Sequence, residues 1–149
     1  MEVKIQPIAK GELLIRKPVA DVFQAFVDPD IITKFWFNRS DGRLETGNTV
    51  HWYWDLFNAS TEVRVRAIEE NKRILIEWDA DNPTTVEWIF TPRSIDTTYV
   101  SIVNKGFTGD GDEIVQNALD STGGFALVLA AAKAFLEHGI QLNIVADRF

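Results

Sequence analysis

The chain has 149 residues, of which 46% are hydrophobic and 25% charged, the size and balance of one globular domain. Fifteen Lys and Arg against 22 Asp and Glu leave a formal charge of −7. That argues against a nucleic-acid binder or a polybasic membrane anchor, because both need clustered cations. No cysteine is present, which excludes disulfides, zinc–thiolate sites, iron–sulfur clusters and cysteine nucleophiles. The opening MEVKIQPIAKGELLI carries Glu2, Lys4, Lys10 and Glu12 and no apolar run. Neither a signal peptide nor a membrane-inserting segment is expected there, and a cytoplasmic location is. On that ground the sequons Asn38-Arg39-Ser40 and Asn58-Ala59-Ser60 are coincidental.

In chain order, Ile5 to Arg16 suits an opening strand whose early pairing Pro7 limits. Pro18 stands at a helix start, and Val19, Val22, Phe23 and Phe26 follow at helical spacing. Asp28-Pro29 predicts a second short helix, with Asp28 as N-cap and Ile31, Ile32, Phe35 and Trp36 as its apolar face. From Gly47 to Asn104 the period is two. Val50, Trp52, Trp54 and Leu56 form one apolar series, then Val63, Val65 and Ala67, then Ile74, Ile76 and Trp78, then Val86, Trp88 and Phe90. A last strand runs from Tyr99 to Val103. Asn58-Ala59-Ser60, Glu70-Asn71, Asp81-Asn82-Pro83 and Pro92-Arg93-Ser94 are the predicted turns. Such alternation means an antiparallel sheet with one packed and one wet face.

The last third reads as one long helix, N-capped by Asp112 and ended by Gly139. It must bury its apolar side against the sheet. No repeat, low-complexity stretch or linker interrupts the chain, so a single domain over residues 1–149 is expected. The fold class is α+β: strand, two short helices, an antiparallel meander and a long C-terminal helix.

That order and its local motifs resemble the START-like (SRPBCC) superfamily, and within it the branch named for the activator of the Hsp90 ATPase, also called polyketide-cyclase-like. The matching stretches are Pro18-Val19-Ala20-Asp21-Val22-Phe23-Gln24-Ala25-Phe26, Asp28-Pro29 with Phe35-Trp36, Lys105-Gly106-Phe107, Gly124-Phe125 and Phe135-Leu136-Glu137-His138-Gly139. The resemblance implies a helix-grip fold, in which a curved sheet wraps a long C-terminal helix around a deep apolar cavity. It also implies binding or transformation of lipids, polyketides or other apolar small molecules, and in one branch an Hsp90 co-chaperone role. Relatives often carry Trp after the helix Gly, where this chain has Phe125.

Aromatic density is the most informative chemical signal, because rings supply the apolar walls a ligand cavity needs. Trp36, Phe37, Trp52, Trp54, Trp78, Trp88 and Phe125 are the candidate ligand-binding residues. Gly123-Gly124 interrupts the long helix at a cost of up to about 1 kcal/mol per Gly relative to Ala. Close helix-on-sheet approach, room for a ligand or a kink could each offset it. Asp120, Gly124, Leu127 and Ala131 share one stripe of that helix.

A reaction in the cavity would need a titratable group, and His51, Asp120 and Tyr99 are the candidates, with Asp55 and Tyr53 near His51. His138 is read as a cation at a helix C-terminus. Arg64 and Arg66, with Glu62 and Glu87, are read as cross-strand pairs on the wet face. Two separated histidines make no zinc set, Asp110-Gly111-Asp112-Glu113 is too short for an EF-hand loop, and no Gly-rich phosphate loop occurs. No metal or cofactor is expected. The leading expectation is binding of an apolar small molecule. The alternatives are a cyclase or dehydratase in the same cavity, and an Hsp90-directed or other protein-interaction role. Either a monomer or a homodimer is compatible with the aromatic content.

Overall fold

The computed structural model describes residues 6–148. One antiparallel sheet has the strand order β1-β7-β6-β5-β4-β3-β2. Its strands are β1 Ala9–Ile15, β2 Arg39–Ser40, β3 Thr49–Trp54, β4 Ala59–Glu69, β5 Arg73–Trp78, β6 Thr84–Ser94 and β7 Thr97–Lys105. Helices α1 Val19–Val27 and α2 Pro29–Ile32 follow β1, the 28-residue α3 Gly111–His138 follows β7, and a short α4 Ile144–Arg148 comes last. This is the helix-grip arrangement, a curved sheet holding one long C-terminal helix.

The period-two pattern sorts the sheet into two faces. Trp52, Val63, Val65, Ile74, Ile76, Val86, Trp88, Val100 and Ile102 point inward and are at most 2% exposed. The outer face carries charge. Arg64 donates to Glu77 at 2.6 Å and to Glu62 at 3.0 Å, and Arg66 reaches Glu77 at 3.0 Å. The Arg64 hydrogen bond, followed by that of Arg66, holds the Glu77 carboxyl below its usual range. Glu87 pairs with Arg73 at 2.6 Å rather than with Arg64 or Arg66, because β5 lies between β4 and β6.

Several boundaries differ from the sequence pattern for local reasons. The predicted start of β1 at Ile5 lies outside the described residues, and pairing begins at Ala9, past the donor-less Pro7. The third strand ends at Trp54 and leaves Leu56 66% exposed. There the Asp55 N–H donates to Asn38 Oδ1, its carboxylate takes Arg39, and a 3-10 turn over Asp55–Phe57 leads to Asn58 in the left-handed region. A bulge between Val65 and Ala67 in β4 puts Ile68, not Ala67, on the inner face opposite Ile74. Pro92-Arg93-Ser94 belongs to β6 instead of the turn, which falls at Ile95-Asp96. Pro92 is tolerated because β5 stops at Arg73, opposite Ile89, so no neighbour on that edge needs its missing N–H.

Helix boundaries follow capping chemistry. Asp28 caps α2 through the Asp30 N–H at 2.9 Å, and α2 ends at Ile32, leaving Phe35 and Trp36 buried in the next turn. The N-cap of α3 is Asp110, not Asp112: its carboxylate accepts from the Glu113 N–H at 2.9 Å. Gly139 ends α3 with φ 68°, the left-handed conformation a C-terminal Gly supplies.

By length and composition α3 could cross a membrane. Its Phe125, Val128, Leu129, Ala131 and Ala132 are instead buried inside the protein, and it packs mainly on β1. Gly11 permits that approach, since a Cβ there would lie 3.2 Å from the Phe125 Cβ and 3.3 Å from its carbonyl carbon. Towards its C-terminus α3 is tied down by polar contacts. Lys133 Nζ donates to the Leu14 carbonyl and to Glu137 Oε2, both at 2.7 Å. Glu137 Oε2 also accepts the Arg16 N–H at 2.9 Å.

Candidate ligand cavity

While α3 presses on β1, a cavity of about 1000 Å³ lies between its middle turns and one end of the sheet's inner face, from Trp54 of β3 to Asn104 of β7. This is the upper end of the size range of small-molecule sites. Trp36, Trp54, Trp78 and Phe125 form aromatic wall, Leu127 and Val128 aliphatic wall, and Phe57 and Phe107 sit on the connecting loops.

All seven candidate aromatics belong to one contiguous ring cluster, but only four of them line the cavity. Trp36 is the hub, within 5.1 Å of Trp52, 6.2 Å of Trp78, 6.3 Å of Trp88 and 6.0 Å of Phe125 between ring centroids. Trp78 stacks on Phe125 at 5.8 Å and 17°. Phe37, Trp52 and Trp88 stand behind this wall as core, at 3%, 1% and 1% exposure, with Phe37 stacked on Trp52 at 4.5 Å. Among the described residues the buried Trp88 indole N–H has no hydrogen-bond partner.

One end of the cavity is polar and tightly ordered. Asn104 continues the inward parity of Val100 and Ile102 on β7, and it is only 2% exposed. Its Nδ2 donates to Thr84 Oγ1 at 2.9 Å and to the Thr85 carbonyl at 2.8 Å. Its Oδ1 accepts the Ser121 hydroxyl at 2.7 Å from α3. Trp78 Nε1 donates to the same Thr84 Oγ1 at 3.0 Å. Thr84, Asn104 and Ser121 were not among the sequence candidates. Thr84 and Asn104 show themselves as polar residues on an apolar parity, ahead of Val86 in β6 and after Ile102 in β7, whereas Ser121 on α3 has no such signal.

The titratable candidates are separated. His51 lies on the outer face, where its Nδ1 is 2.9 Å from Asp41 Oδ2 and its backbone N–H donates to Asp41 Oδ1 at 2.7 Å. Mainly through that backbone hydrogen bond, the Asp41 carboxyl is held below its ordinary value. The expected neighbour Asp55 binds Arg39 instead. Tyr99 is also on the outer face, its ring beneath the Arg93 guanidinium at 4.6 Å. Asp120 alone of the three borders the cavity, exposed at its edge, with Gln116 Nε2 on its Oδ1 at 3.0 Å. Along the predicted stripe, Asp120, Gly124 and Leu127 face the cavity. Among the described residues no cluster of His, Asp and Glu is suited to hold a metal ion.

The Gly pair does not serve sheet packing: α3 runs unbroken through it, and the nearest atoms a side chain there would meet belong to Arg148. A Cβ on Gly124 would come 2.9 Å from Arg148 Nη1, and one on Gly123 3.3 Å from Arg148 Nη2. The pair is therefore a seat for the Arg148 side chain, which donates to the Asp120 carbonyl at 3.2 Å. Val145 and Arg148 of α4 thereby form one side of the cavity.

A seven-stranded helix grip with an aromatic cavity beneath its helix defines the START-like class. Residues 16–135 match the family model described as Activator of Hsp90 ATPase homolog 1-like protein, and the chain belongs to that family. No curated protein matches it significantly in sequence. Protein SSP2350 from Staphylococcus saprophyticus is similar in structure, with TM-score 0.79 and 28% identity over 91% of this chain and 95% of its own. The di-domain ARO/CYC protein BexL of the BE-7585A biosynthetic pathway has TM-score 0.77 and 14% identity over 87% of this chain and 46% of its own. Aha1 from Colwellia psychrerythraea, solved as a dimer, has TM-score 0.75 and 18% identity over 89% and 97%.

Proposed function

We propose that the protein binds an apolar, ring-containing small molecule in the cavity between the sheet and α3. The observation that carries this reading is the size of the cavity together with its wall of Trp36, Trp54, Trp78 and Phe125. Filling such a space with apolar surface is favourable at roughly 25 cal/mol per Å² removed from water. Native mass spectrometry of the purified protein, then solvent extraction and a titration with the neutral dye Nile red, tests it. A stoichiometric extracted compound or saturable one-to-one dye binding is expected, and both should be lost in a folded Trp54→Glu variant. Binding that is unchanged in that variant, or no binding at all, refutes the reading.

A cyclase-type reaction in the same cavity is the second reading, favoured by the likeness to BexL. Asp120 is then the acid–base candidate, since His51 and Tyr99 face away. Asp120→Asn should abolish turnover while leaving ligand affinity within about twofold; turnover that survives the substitution removes Asp120 from that role. The family description also names Hsp90. Titration against Hsp90 with an ATPase readout tests that partner, and an unchanged rate excludes stimulation.

A further inference from the structure

The polar end of the cavity has a direction that follows from elementary hydrogen-bond bookkeeping. Trp78 Nε1 can only donate, and it donates to Thr84 Oγ1. Asn104 is fixed in orientation by the Thr85 carbonyl, which can only accept, so the group facing Thr84 is its NH₂. Thr84 Oγ1 thus receives two donors, which fill both of its lone pairs. Its own hydrogen must point elsewhere, and among the described residues no group accepts it. Thr84 has the inward parity of Val86, Trp88 and Phe90 and lines the cavity. On the helix side Ser121 spends its hydrogen on Asn104 Oδ1 and presents only lone pairs.

We infer that the Thr84 hydroxyl is a committed donor aimed at the ligand, so that the cavity selects ring compounds carrying a carbonyl oxygen at the end that reaches β6. This rests on the reading of the cavity as a binding site and adds the chemical class of its occupant. The hydroxyl cannot turn round to accept, because Trp78 Nε1 and Asn104 Nδ2 hold it from the other side. The buried Asn104 keeps that geometry fixed, a prearrangement that reduces the ordering needed on binding. A hydrocarbon in the same place would leave the Thr84 hydrogen without a partner, which is the basis for discrimination between otherwise equal ligands.

Fluorene and 9-fluorenone differ by a CH₂ against a C=O on one ring skeleton and make a matched pair. Their affinities are read by displacement of Nile red from the full-length protein. Fluorenone is expected to bind about fivefold more tightly than fluorene, the effect of one net hydrogen bond. Thr84→Val should reduce the ratio to about one, while Thr84→Ser, which keeps the hydroxyl, should retain it. A purely structural role for Thr84 would change both affinities together and leave their ratio intact. Equal affinities in the wild type, a ratio that persists in Thr84→Val, or failure of both compounds to displace a bound dye overturns the inference. Failure of Nile red itself to bind is the different result that removes the binding reading beneath it.

Discussion

The two flanks of α3 meet the same sheet in opposite ways. Along β1 the helix is in contact with backbone: Gly11 brings Phe125 to the limit of approach, Leu129 is fully buried, and Lys133 and Glu137 close hydrogen bonds to Leu14 and Arg16. On the other flank the same turns of helix face the cavity through Ser121, Gly124, Leu127 and Val128. A single rigid helix cannot be close to both flanks of a curved sheet, so tight seating on β1 leaves the space opposite. The cavity thus depends on contacts made on the flank away from it.

Leucines on the two flanks provide the largest contrast. Leu129→Ala should cost about 2–5 kcal/mol of unfolding free energy, the range for a buried leucine. Leu127→Ala, on the cavity side, should cost under about 1 kcal/mol while changing Nile red affinity. Equal costs in chemical denaturation would mean that the two flanks are packed alike.

Gly11→Val should destabilise by about 1–3 kcal/mol, as overpacking does, and should also change dye affinity by moving α3 relative to the sheet. Loss of stability with binding untouched would separate the cavity from the helix seat.

The Glu137 contact should show itself in pH dependence. Burial pushes its carboxyl up, but the Arg16 N–H, Lys133 and the neighbouring cations outweigh that and hold it below its ordinary value. A carboxyl with a depressed folded-state pKa contributes stability above its unfolded pKa, near 4.3, and loses it as pH falls through the folded value. Glu137→Gln should therefore lower Tm at pH 7, and the gap from wild type should close as pH drops below about 4. A gap that stays constant over that range rules out the ionised contact.

The smallest effect is expected at Gly123→Ala. The atom it meets is the end of the Arg148 side chain, which can shift, while the helix gains up to about 1 kcal/mol in propensity. A loss of stability instead would show that the Arg148 seat tolerates no added methyl.

Much of this was legible in the residues. The period-two runs identified the inner and outer faces, and Asp28 and Gly139 marked helix ends by their capping chemistry. The Asp110 cap was missed although Glu113 stands three residues on, a spacing that itself signals a helix start. The bulge in β4 was not legible, because one inserted residue leaves composition unchanged and only the pairing partner reveals it. Nor was the role of the Gly pair, since Arg148, the atom group it accommodates, is distant in sequence.

The distinction between core and cavity lies furthest from the sequence. Trp52 and Trp54 share residue type, strand and parity, yet Trp52 is buried at 1% and Trp54 lines the cavity. Alternation by itself determined that both turn inward, because side-chain direction in a strand is a local property of the backbone. The tertiary structure alone decided which of them has an open space beside it. That depends on where a helix some seventy residues later comes to rest, and its resting place is fixed by Gly11 on the opposite edge of the sheet.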